Sequence, residues 1–111
     1  MAAKVMIVIS SSDREVVWTA LLYARASIAS DWMGATRVFV WGPSSKTIAG
    51  DPELEENVRE IRALGEQVYV CKACSDRYLV SDRLAALGCS VEYVGPVSSR
   101  FIEEGYSVFN W

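Results

Sequence analysis

The chain has 111 residues, 51% of them hydrophobic and 23% charged, with a formal net charge of −3 at pH 7. That length suits one domain, residues 1–111, with a core of its own, and an acidic chain without a basic stripe does not read as a nucleic-acid binder. No apolar run reaches the roughly 18 residues of a spanning helix, and three cysteines without a secretion signal indicate free thiols in a reducing cytoplasm.

Lys4 to Ile9 is a β-branched apolar run, continuous in hydrophobicity and too short for a helix, as in a central parallel strand covered on both faces. Ser10-Ser11-Ser12-Asp13 follows, and Ser12 with Glu15 predicts a capping box opening a helix from about Asp13 to about Met33, stopped at Gly34. Arg25 is the single charge between Val16 and Ser30, so this helix lacks a polar face and is expected to pack on a neighbouring subunit. Arg37 to Trp41 predicts the second strand, closed by Gly42-Pro43, and Ser44 to Gly50 a short helix or turn. Asp51-Pro52-Glu53 opens an amphipathic helix with Asp51 as cap, acids Glu53, Glu55 and Glu56 at its positive end, and Leu54, Val58, Ile61 and Leu64 as its apolar stripe.

Glu66 to Val70 reads as strand three, Ser81 to Leu87 as a helix, and Val91 to Val94 as strand four, broken by Gly95-Pro96. Ser98 to Glu104 predicts a short helix and Tyr106 to Phe109 the last strand. The alternation predicts an α/β three-layer sandwich, flavodoxin-like in general form: a mainly parallel five-stranded sheet with helices on both faces.

Cys71-Lys72-Ala73-Cys74 stands directly behind strand three, and ligands of parallel α/β proteins bind at the carboxyl ends of strands. Cys71 is the candidate nucleophile. The amides opening the next helix, with Lys72 and Arg77, are expected to favour its thiolate, the form that attacks persulfide or disulfide sulfur. Cys74, one turn on, is the candidate resolving thiol, and Asp76 is a candidate partner of Arg77 in orienting the cysteine segment. The chain has no histidine, which removes any Cys-His hydrolase mechanism. A closed zinc site wants four ligands, and three cysteines supply one only with a carboxylate such as Asp76, so no metal is expected. Ser10 to Asp13 lacks the glycines and lysine of a phosphate loop, which leaves capping as its job and no cofactor expected. Cys89, at a helix end, and Trp18, Trp32, Trp41 and Trp111 read as packing residues.

The segment from Val68 through Cys71-Lys72-Ala73-Cys74-Ser75-Asp76 to Val80-Ser81 resembles the cysteine loop of the DsrE/DsrF-like family, above all its YchN-type members. One departure stands out. A glycine common in that family a few residues after the aspartate is replaced here by the stretch Arg77-Tyr78-Leu79. The resemblance implies a homotrimer or hexamer with cysteines near subunit contacts. It also implies a sulfur relay in which Cys71 accepts sulfane sulfur as a persulfide from a donor protein and passes it to an acceptor protein, with Cys74 matching a second cysteine of some members. The reading that follows is a cytoplasmic sulfur carrier more than a turnover enzyme. Its rivals are a CxxC dithiol redox protein and a non-catalytic oligomeric scaffold subunit.

Overall fold

The computed structural model describes residues 3–111, and its strands are β1 (Lys4–Ile9), β2 (Ala35–Val40), β3 (Val68–Cys71), β4 (Ser90–Glu92) and β5 (Ser107–Asn110). Every pairing among them is parallel, in the order β4-β3-β2-β1-β5. The helices are α1 (Arg14–Ala29), α2 (Ser44–Ile48), α3 (Pro52–Ala63), α4 (Lys72–Arg77), α5 (Ser81–Ala86) and α6 (Val94–Glu103). This is the sandwich that the alternation of elements predicts.

Strand order dictates how the two faces are covered. The connections β1–β2, β2–β3 and β3–β4 all step the same way across the sheet, so right-handed crossovers put their main helices on one face. The last connection travels back over β3, β2 and β1 and puts α6 alone on the other. Helices α1, α2, α3 and α5 accordingly bury Val17, Leu21, Ile48, Leu54, Val58 and Leu84 against Ile7, Ile9, Val38 and Val40. Under α6, Val94 and Val97 pack on Met6, Val8 and Phe39, with Tyr69, Trp41 and Phe101 around them. On this thinly covered side Tyr93, Ile102 and Val108 stay exposed.

The first helix differs from its sequence pattern in three ways. Asp13, not Ser12, is the N-cap, its Oδ1 accepting from the amides of Glu15 and Val16, so no Ser12–Glu15 box forms. The helix ends at Ala29, and Asp31 makes the left-handed turn (φ 57°) expected of Gly34. Its apolar flanks are taken up within the chain: α3 lies along one side, and Tyr23 meets Trp32, Phe109 and Trp111 on the other. Leu22 alone among its large apolar side chains is exposed, so the helix does not need a second subunit to bury it.

Strand four is confined to Ser90–Glu92, because Gly95 and Pro96 open α6 and do not merely break the strand. Pro96 falls in the first helical turn, where a missing N–H leaves no intrahelical bond unmade. In α3 the Asp51 cap and the Leu54, Val58 and Ile61 stripe form as read, while Leu64 is the exposed C-cap. Glu55 is the surprise. Its carboxylate is only 3% exposed, and it accepts from Gly50 N–H at 2.7 Å and from Arg83 Nε and a terminal guanidinium nitrogen at 2.7 and 3.0 Å.

Candidate functional site

β3 runs one residue further than Val70, which makes Cys71 both its last residue and the N-cap of α4. Strand alternation puts Cys71 and Tyr69 on the α6 side of the sheet and Val68 and Val70 on the other. There Cys71 is 7% exposed, in the cluster built on Met6, Val8, Phe39 and Val94. Its side chain makes no cap hydrogen bond to the first-turn amides of α4, so the polarisation expected from those amides is not realised as a direct bond.

Cys74 is half-buried against the same cluster, and both thiols are free. Burial pushes the Cys74 thiol above the ordinary cysteine range, and the neighbouring Cys71 thiol adds to the rise. The Gly42 amide and the Arg77 guanidinium pull the other way. The net direction is upward, so Cys74 rests as a protonated S–H at neutral pH, beside Cys71.

The charged residues around the pair are arranged differently from the sequence expectation. Lys72 Nζ donates to Asp76 Oδ2 at 2.6 Å and stands 5.9 Å from the centroid of the Tyr93 ring. This pair holds Asp76 below the usual carboxylate range and Lys72 above the usual lysine range. The partner of Asp76 is therefore Lys72, one helical turn earlier, and not Arg77. Asp76 also accepts from Ser81 Oγ, which lies 2.7 Å from the Oγ of buried Ser75. These bonds tie the cysteine segment to the start of α5. Arg77 is exposed, and its charge is felt at Cys74.

Gly42, which the sequence marks only as a strand end, belongs to this site. It sits at the carboxyl end of β2, beside β3, with φ +60°, a conformation that glycine adopts without steric penalty. Two fully buried serines hold its turn. Ser44 Oγ shares its one proton between Ile9 C=O at 2.6 Å and Trp41 C=O at 2.8 Å, and Ser45 Oγ donates to Gly42 C=O at 2.7 Å. The Gly42 amide is one of the groups that draw the Cys74 thiol down against the rise from burial.

After α4 the chain turns through Leu79, which is left-handed (φ 60°) and 91% exposed. This left-handed turn is made by a leucine and not a glycine, at a cost of about 1–2 kcal/mol. The bonds Leu79 N–H to Asp76 C=O and Val80 N–H to Ser75 C=O hold it. Cys89 is a packing residue in the other core cluster, its thiol pushed up to about 12 by burial. Among the described residues no three His, Cys, Asp or Glu side chains converge as metal ligands, and no helix is long and apolar enough to cross a membrane.

The sequence pattern of the DsrE/DsrF-like family matches residues 3–111. Comparison with curated proteins finds no match. Among solved structures, the chain is similar to a conserved protein of unknown function, BT1422, from Bacteroides thetaiotaomicron, with 22% identity and a TM-score of 0.88 over 97% of this chain and 94% of that one. It is also similar to the YchN protein of E. coli, with 14% identity and a TM-score of 0.70 over 97% and 99% of the two chains. MTH1491 from Methanobacterium thermoautotrophicum, of unknown function, gives 19% identity and a TM-score of 0.62 over 98% and 99%. These likenesses establish the shared fold.

Proposed function

The chain belongs to the DsrE/DsrF-like family, and from that premise we propose that it is a cytoplasmic sulfur carrier holding sulfane sulfur as a persulfide on Cys71, with Cys74 assisting. One observation carries the reading: two free thiols, three positions apart at the carboxyl end of β3, pack on the same core cluster. A thiolate on Cys71 attacks the outer sulfur of a donor persulfide, the donor S–S bond breaks, and the donor thiol leaves with a proton. Handing the sulfur to an acceptor thiol is the same exchange in reverse. Neither step needs a histidine, a metal or a cofactor. Lys72 and Asp76 fix the segment through their mutual ion pair, and Arg77 supplies positive charge at its open side.

Trypsin cuts after Lys72 and so separates the two cysteines into different peptides. Incubation with a small-molecule persulfide should add one sulfur to the Cys71 peptide, and Cys71→Ser should remove that addition. A dithiol redox protein would instead accumulate a Cys71–Cys74 disulfide with no added sulfur. If neither peptide gains sulfur and both thiols stay inert, the scaffold reading replaces the carrier.

The exposed Ile102 and Val108, on the side of the sheet that α6 covers alone, support a homo-oligomer whose contact is that side and not α1. Sedimentation equilibrium should give a trimer or hexamer that Ile102→Glu with Val108→Glu dissociates. A wild-type monomer at micromolar concentration would sink this part of the proposal.

A further inference from the structure

Cys71 and Cys74 are the N-cap and the third residue of α4. Across one helical turn, Cα atoms three positions apart stand about 5 Å from each other, inside the roughly 4.4–6.8 Å that a disulfide spans. Both side chains pack on the α6 side of the sheet, in the cluster of Met6, Val8, Phe39 and Val94. We infer that Cys74 gives the carrier a second exit for its sulfur: it attacks the persulfide on Cys71, closes a Cys71–Cys74 disulfide and sets the outer sulfur free as sulfide. The inference rests on the persulfide reading above and deepens it.

Access decides which thiol reaches that persulfide. Cys71 is 7% exposed, so thiols dissolved in the medium meet it rarely. Cys89, the remaining cysteine, belongs to the cluster on the opposite side of the sheet. Cys74 shares the cluster of Cys71, and its helix is anchored: Tyr78 N–H donates to Cys74 C=O at 3.2 Å, and the hydroxyl of the next residue, Ser75, lies 2.7 Å from that of Ser81. A thiol fixed one turn from its target acts at an effective concentration far above that of any dissolved thiol. The burial that keeps Cys74 as S–H also restrains it, since the thiolate is the attacking form. A docked acceptor therefore has time to take the sulfur before this exit is used.

The step balances. Cys74 gives up its proton, and its thiolate attacks the inner sulfur, Cys71 Sγ, in line with the S–S bond of the persulfide. That bond breaks, its electron pair departs with the outer sulfur, and the hydrosulfide so formed takes up the proton. Cys74 is oxidised, the outer sulfur is reduced, and no outside oxidant enters. A thiol reductant then opens the disulfide by two exchanges, leaving as its own disulfide and returning Cys71 and Cys74 to free thiols.

The test loads wild type and Cys74→Ser with a small-molecule persulfide, removes the excess by gel filtration and follows both proteins without added thiol. Wild type should carry the added sulfur on Cys71 first and then lose it, with about one sulfide and one Cys71–Cys74 bond appearing per chain. That bond is read as a link between the tryptic peptide ending at Lys72 and the peptide Ala73–Arg77. Cys74→Ser should keep the sulfur on Cys71 about tenfold longer, and Cys74→Ala should match it. Wild type that holds its sulfur as long as Cys74→Ser does, or that sheds sulfide without forming the bond, overturns the exit and leaves the persulfide reading standing. If wild type and both variants take up no sulfur, the two readings fall together.

Discussion

Phe39→Ala should lower the unfolding free energy by about 3–5 kcal/mol. Phe39 is fully buried on β2, the central strand of the five. Its ring stacks on Tyr69 with centroids 4.9 Å apart and meets the ring of Phe101 nearly edge-on at 6.0 Å. Only α6 lies above this aromatic layer, so few neighbours can move in to fill the cavity that alanine leaves. Phe39→Leu keeps more of the volume and should lose about 1 kcal/mol. Because domains have only about 5–15 kcal/mol in total, the alanine variant should show a large drop in urea midpoint with an unchanged slope. A loss below about 1 kcal/mol would mean that the ring is not packed as described.

Glu55→Ala should cost about 2 kcal/mol, since it leaves the Gly50 amide without its acceptor and Arg83 without its carboxylate. Arg83 itself is exposed enough to be re-solvated, which keeps the loss below that of stranding a fully buried charge. Acid should expose the same interaction. The Arg83 hydrogen bonds hold the Glu55 carboxyl below the ordinary glutamate range. A group depressed on folding contributes stability that is complete above its unfolded value, about 4.3, and that disappears as pH falls through the lower folded value. Asp51, lowered chiefly by its hydrogen bonds with Arg14, adds to the same slope. Wild type should therefore lose stability between neutral pH and about pH 3, and Glu55→Gln should lose less over that interval, from a lower start. Parallel pH profiles for the two proteins would remove Glu55 from this role.

The strands were legible because central parallel strands read as unbroken apolar runs, and Lys4–Ile9 and Val38–Val40 do so. Helix ends were less so. Ser12 and Asp13 are equally able caps, and nothing in the sequence marks Asp31 for a left-handed turn when Gly34 follows. Gly95-Pro96 carries the same letters whether it breaks a strand or opens a helix. The burial of Glu55 depends on Arg83, 28 positions later, and on Gly50, so no local pattern announces it. The cysteine pair was visible from its place behind a strand, but Gly42 was not, because its part depends on β2 lying beside β3. A glycine-proline step ending one strand and a cysteine ending its neighbour is the signal that could have found it. The uneven cover of the two faces was hidden for the same reason: it follows from strand order, which composition and periodicity do not encode.

The return crossover also sets a timetable for synthesis. β1 is made before the other four strands, yet one of its two neighbours is β5, about a hundred residues downstream. Until α6 has been made, a nascent chain carrying the first four strands presents Met6, Val8 and Phe39 uncovered to whatever is near. Such surface is where incomplete chains associate wrongly. Residues 94–110 thus act as an internal shield, and a chain cut short before Val94 would be at its most adhesive.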